Sequence, residues 1–330
     1  MHRRPIVIFL VLVIASSTLV GFLIIISPRS PETEKRAYPV APHRPIAVGS
    51  DDDFTRPDAG SGCECVRSGS GQEGDPYLIS DWMINSTDGD GVAIAGTKAH
   101  FVIARVVLEG AAPNSGIHIE GSENGSVEDC RITGWWYGLY ILSSSNIELT
   151  NNTVTGNQYG IQLEASDNNK LVGNRFDSNG ELGIFLRGSS NVLENNSATH
   201  NSFGGINVDG TAGSAHSNQL RGNIASENGV YGIGVWRAHS NMLISNTVRH
   251  NKVVGVMLTD HSTDNLIESN TVSDNGSGIT LIDGSSGNTV RGNTARGNGD
   301  RVNDFDLYDS SGGNTWADNS YDSKSPDSIG

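Results

Sequence analysis

Carboxylates, one guanidinium, amides and aromatic rings recur in this chain about every 22 to 27 residues. Glu120, Glu164, Arg187, Asp209 and Trp236 form one series. His118, Tyr140, Gln162, Phe185 and Asn207 form a second, running two residues ahead of it. Rings that stack on sugar faces, beside polar groups that hold hydroxyls, would bind an extended glycan. A polysaccharide lyase or epimerase would also need a base at the sugar carbon and a cation against a uronate. A glycoside hydrolase would need two carboxylates about 5 to 9 Å apart. Glu164, Arg187 and Asp209 are the residues that could carry either chemistry. The plainer reading is that a long exposed sheet needs polar residues for solubility.

Copper would require thiols or imidazoles at converging positions. Cys63 and Cys65, in a Gly/Ser-rich stretch, could form a disulfide, pair with another chain or bind a metal. Cys130 reads as a small buried residue. The histidines are dispersed: His200 and His250 fall two repeats apart, about 10 Å along a stack of strands, and His239 with His261 falls in adjacent repeats. No metal cluster emerges. Calcium or copper is the cofactor that the carboxylates or thiols would accept.

The elements that must position these residues are set by a repeat. Gly91, Gly116, Gly138, Gly160, Gly183, Gly205, Gly232, Gly255 and Gly278 each precede an apolar, variable, apolar triplet such as Ile161-Gln162-Leu163. A tenth triplet is read at Phe305-Asp306-Leu307. Alternation over three or four residues indicates a short strand, and a period in the low twenties indicates a solenoid. A second signature, Leu171, Asn174, Phe176 and Asn179, recurs in successive repeats. Asn suits the corners because it tolerates left-handed backbone and its amide can bond the next Asn in a ladder. Between Asp58 and Ser325 the only prolines are Pro76 and Pro113, as expected where backbone N–H groups are needed for sheet pairing.

Composition agrees. The 330 residues include 41 Gly and 31 Asn, and 37 Asp+Glu against 22 Lys+Arg give a net charge of −15. Such a chain offers no basic surface for nucleic acid. Residues Ile6 to Ile26 carry no charge and are long enough to cross a bilayer. An anchor or an uncleaved signal in residues 1–27 is expected, with cleavage as the rival. Either places the rest on the extracytoplasmic side, at a cell surface or in a periplasm. Prolines 28, 31, 39, 42 and 45 then mark a linker over 28–44.

The repeats GIQLEASDNNKLVGNRFDSN and GVMLTDHSTDNLIESNTVSDN resemble those of NosD-like parallel β-helix proteins, and the resemblance runs from about His43 to the end. It implies a right-handed parallel β-helix and, through the family's name-giving member, a periplasmic copper-binding role in nitrous oxide reductase maturation. The architecture also carries pectate lyases, epimerases and tailspikes, so fold alone does not assign function. The Asp-Pro-His motif of alginate epimerases is absent; the only Asp-Pro is Asp75-Pro76. The expectation is an all-β solenoid of about ten coils over 91–323, preceded by one transmembrane helix, a linker and a cap segment at 45–90, with a tail at 324–330. Its exposed strand face would bind a polysaccharide. The alternatives are a copper-site accessory protein and a structural spacer.

Overall fold

The computed structural model describes residues 40–55, 64–111, 113–211, 215–299 and 304–329. The expected membrane segment 1–27, most of the linker and Cys63 lie outside them. Among the described residues no helix is long and apolar enough to cross a membrane, and the strands form three sheets of twelve. One coil shows the plan. Tyr159–Glu164 belongs to a long-strand sheet, Lys170–Val172 to a second sheet, and Arg175–Asp177 to a third. Each strand pairs in parallel with its equivalent one coil away, Ile161 with Leu139 on one side and Ile184 on the other. The sheets extend beyond 91–323. Ile46–Val48 pairs with Val92–Ala95 and Tyr77–Ser80 with Phe101–Ala104. At the far end Leu307 pairs with Lys324.

Ile161, Leu163, Leu171 and Phe176 project inward and are fully buried, each above its counterpart in the neighbouring coil. Burying such a side chain contributes about 1.5–3 kcal/mol, so a narrow core is stabilised by repetition. The repeating glycine has a steric reason. A Cβ on Gly160 would lie 2.4 Å from the carbonyl oxygen of Gly183 and 3.0 Å from Asn179 Nδ2. No side chain fits where the third sheet bends into the long-strand sheet.

Three columns of buried Asn run through the corners. Asn174 receives a bond from Asn152 Nδ2 at 2.9 Å, donates to Asn196 Oδ1 at 3.0 Å, and caps the carbonyl of Leu149 at 2.7 Å. Asn157, Asn179 and Asn201 repeat this one turn further along. A third column runs through Asn169, Asn191 and Asn218, in addition to the two that the repeat signature marks. The left-handed backbone also falls elsewhere than expected. It sits on the residue before each ladder Asn, for example Ser178 (φ 57°), His200 (φ 56°) and Glu227 (φ 58°). The ladder positions select Asn for its amide, which both donates and accepts.

One register expectation is corrected. The tenth triplet is Leu307-Tyr308-Asp309, because Ile279 pairs with Leu307 and Leu281 with Asp309. The shift lets Asp306 take the place of a ladder Asn and accept from Asn298 N and Nδ2 at 3.0 and 2.9 Å. A second column ends similarly, with Asn314 Nδ2 donating to Asp309 Oδ2 at 3.1 Å. Among the histidines, His239 aligns with His216 and Thr263 rather than with His261, and the rings of His216 and His239 stack at 5.1 Å.

His200 Nδ1 lies 2.9 Å from Asp177 Oδ1, and its Nε2 lies 2.9 Å from Glu227 Oε2. The hydrogen bond to Asp177, helped by the charge of Glu227, raises the imidazole above its ordinary value. Burial pushes the Asp177 carboxyl up, but bonds from Thr199, His200 and Ser178 outweigh it and hold the group below the usual range.

Asn223→Ala would strip a fully buried residue of its bonds to Asn246 and Leu193. It should cost at least about 2 kcal/mol, read as a lower urea midpoint, whereas Asn319→Ala at the ladder's end should cost less. Equal costs would deny the ladder its role. A raised His200 stabilises the fold below its unfolded value of about 6.5, and that stabilisation is lost as pH rises through the folded value. The depressed Asp177 acts above the ordinary carboxylate range and is lost as pH falls through its folded value. The melting temperature should therefore decline from about pH 6.5 upward in the parent and less in His200→Gln; identical profiles would remove the coupling.

Candidate functional site

The long-strand sheet turns one face to the core and one outward. Three outward columns follow from its six-residue strands. Two are the series seen in the sequence. The third, Tyr137, Tyr159, Leu182, Gly204 and Tyr231, immediately precedes the repeating glycine. Strict alternation hides it, because in each strand the glycine and the next aliphatic both point inward: Gly138 and Leu139 are buried in succession, while Tyr137 is half-exposed. Of the aromatic cluster around it, Trp135 is in the core and Trp136 is exposed.

With the third column in place, the rings form a continuous ladder. Tyr137 stacks on Tyr140 at 4.8 Å and on Tyr159 at 5.5 Å. Tyr159 continues to Phe185 at 6.3 Å, and His118 stacks on Tyr140 at 5.1 Å. Burial first, then the charge of Glu164, raises the Tyr140 phenol; burial and Glu181 do the same for Tyr159. Both hydroxyls therefore stay protonated at neutral pH and can donate. His118 Nδ1 lies 3.1 Å from Asp90 Oδ2, and Nε2 lies 3.9 Å from Glu120. Burial pushes the Asp90 carboxyl up, but its bonds with His118 and the Ser115 amide leave it below the usual range.

Glu164, Arg187 and Asp209 are brought together. Arg187 Nε and Nη2 donate to Asp209 Oδ2 at 3.1 and 3.0 Å, and Nη1 lies 3.6 Å from Glu164 Oε1. The guanidinium sits 4.5 Å over the Phe185 ring. Gln162 Nε2 donates to Glu164. Arg187 is thus a clamp between two carboxylates.

The expectation of a fully exposed strip holds only in part. Gln162, Asn207 and Asp209 are 6%, 2% and 4% exposed. Neighbouring side chains close over this part of the sheet: Tyr231, Leu182 and Val254 are buried on the outer face, packed with Phe185, Phe203 and Trp236. A Cβ on Gly234 would lie 3.1 Å from Trp236 Nε1 and 3.2 Å from Asn207 Oδ1. Asn207 Oδ1, Tyr231 OH and Trp236 Nε1 are all buried without a hydrogen-bond partner. Further along the same face, Ser277, Thr280, Ile282 and Tyr308 line a shallow pocket of about 340 Å³ with Lys252 and Asp304.

Cys65 is buried and disulfide-bonded. Cys130 occupies the ladder position below Asn152, as the repeat indicated. Burial pushes its thiol up to about 12, far from a thiolate ligand. Among the described residues no group of three His, Cys, Asp or Glu is placed to hold a metal ion.

No curated protein matches the chain. Among solved structures it is similar to the Azotobacter vinelandii mannuronan C-5 epimerase AlgE6 A-module, with a TM-score of 0.65 and 16% identity over 87% of this chain and 85% of that one. It is also similar to the periplasmic alginate epimerase AlgG, at 0.55 and 14% over 76% of each chain. For pectate lyase Pel9A the values are 0.50 and 13% over 88% and 80%. At these identities the likeness is one of fold. The right-handed β-helix region family matches residues 66–218 and 183–321, overlapping spans that take in most of the solenoid. The chain belongs to the right-handed β-helix family.

Proposed function

We propose that the outer face of the long-strand sheet binds an extended polysaccharide, along the strip that runs from His118 to Trp236. The observation that carries this reading is the ring ladder of Tyr137, Tyr140, Tyr159 and Phe185, bordered by Glu120, Glu164, Arg187 and Asp209. Rings at successive coils are spaced by the sheet, about 4.8 Å per coil, and offer a polymer repeated apolar contacts. The bordering carboxylates and amides accept or donate to hydroxyls. Structural neighbours named as alginate epimerases and a pectate lyase support a polysaccharide as the ligand class.

The same reading places the solenoid outside the cytoplasm, tethered by the uncharged segment from Ile6 to Ile26. The disulfide at Cys65 supports an oxidising compartment. The copper-accessory alternative rests on the resemblance of the repeats to NosD-like proteins, and the spacer alternative would leave the ring ladder without a ligand.

Affinity electrophoresis and calorimetry against a polysaccharide panel test the proposal. Tyr137→Ala combined with Tyr159→Ala removes two rings from the ladder. Each should cost roughly 1–2 kcal/mol of binding, so the pair should weaken affinity at least tenfold with the solenoid's circular dichroism unchanged. Undiminished binding by that double variant would refute the platform.

A further inference from the structure

We infer that the glycan taken by this face carries no carboxylates: it is neutral or amino-substituted, unlike the polyuronates named for the structural neighbours. The inference rests on the polysaccharide reading above and concerns the charge of the ligand.

The outward columns from the coil of His118 to that of Trp236 contain Glu120, Glu164 and Asp209, with Asp90 and Glu181 at their rim. Against these five carboxylates, Arg187 is the single Lys or Arg among the described residues of those columns, and Arg237 at the rim beside Trp236 is paired with Asp260 at 2.8 Å. Its charge is already committed. Nε and Nη2 bond Asp209, Nη1 faces Glu164, and the flat of the guanidinium lies over Phe185. The triplet carries a net negative charge, and the fork that would grip a uronate in two parallel bonds is occupied. A carboxylated sugar stacked on Tyr140 or Tyr159 would meet Glu164 and Glu181, the groups whose charge adds to burial in raising those phenols. Beside partly buried groups such as Glu164 and Arg187 like charges repel more strongly than in water.

What the face does offer suits hydroxyl and ammonium groups. Glu120 and Glu164 accept, and the tyrosine hydroxyls donate. Of the unpartnered atoms buried at Trp236, Asn207 Oδ1, in a residue 2% exposed, is the acceptor, whereas the Tyr231 hydroxyl and Trp236 Nε1 are donors that a hydroxyl or a carboxylate would satisfy equally and so do not discriminate. A ligand hydroxyl or ammonium satisfies the Asn207 acceptor if the indole moves aside, whereas an ionised carboxylate has no proton to give.

The test is calorimetry on the folded chain with cellohexaose, mannohexaose, a chitosan hexamer, and hexamers of mannuronate and galacturonate, each with and without calcium. The expected result is binding of a neutral or chitosan hexamer at least tenfold tighter than either oligouronate, the two non-anionic arms distinguishing hydroxyl from ammonium recognition. Oligouronate binding of equal or greater strength, with or without calcium, overturns this inference and leaves the polysaccharide reading standing. Binding of no hexamer in any arm overturns both. Glu164→Gln with Asp209→Asn frees the Arg187 fork, and the ratio of oligouronate to non-anionic affinity should rise at least tenfold; an unchanged ratio counts against the clamp. Should the double variant fail to fold, Glu164→Gln alone, at a partly exposed side chain, frees only Nη1 and removes one repelling carboxylate; the ratio should then rise by a smaller factor, and an unchanged ratio again counts against the clamp.

Discussion

The amide of a buried asparagine bonding to the same amide one coil away is the interaction on which this structure depends. Each coil is too short to bury a core of its own, and its corners expose backbone carbonyls that sheet pairing does not reach. A side chain that accepts from one neighbour and donates to both a carbonyl and the next Asn closes those groups without water. Three such columns hold the coils in register, which places Leu171 on Leu193 and Ile161 on Ile184. Everything on the outer face inherits that register.

The outer face shows what registration makes available. Residues 22 or 23 apart in sequence, such as Tyr137 and Tyr159 or Arg187 and Asp209, become direct neighbours. The clamp between Glu164 and Asp209 and the closing of Trp236 over Gly234 are both products of stacking. The first half of the strip is a row of rings open to solvent on one side. The second is a small apolar cluster that covers Asn207 and Asp209. A single sheet thus carries two surfaces of different character along its length.

Much of the fold was legible because solenoids write their geometry as a period. The glycine-led triplets gave the strands, and the columns through Asn174 and Asn179 gave two of the ladders. The third ladder is written in the same period, with 22 residues from Asn169 to Asn191 and 27 from there to Asn218 as in the other two columns, and it stands two residues before Leu171, Leu193 and Leu220, where the strand pattern draws attention to the aliphatic rather than to the Asn. The shift at Leu307 escaped because Asp306 fills an Asn role with a different residue type. At the site, Glu164, Arg187 and Asp209 were identified, but Tyr137, Tyr159 and Tyr231 were not placed on the face. Two consecutive inward residues at the glycine break the alternation by which faces are assigned. Burial of Asn207 and Asp209 depended on large neighbours from other coils, which no local pattern encodes.

The two carboxylates that end Asn columns give the solenoid an electrical direction. Along most of each column an Asn Nδ2 donates one N–H to the amide oxygen in the next, C-terminal coil and the other to a carbonyl of the preceding coil, while its own oxygen accepts from the preceding Asn, so the side-chain dipoles share a component along the column that adds as peptide dipoles add in a helix. The C-terminal end of each column is therefore a focus of partial positive charge. Asp306 and Asp309, 1% and 8% exposed, stand at two of those ends as counter-charges. Two of the acidic residues that make this chain strongly anionic are thereby drawn inside it, where they accept from the last donors of a polar stack, and Asp306 accepts in turn from the amides of Asp322 and Ser323.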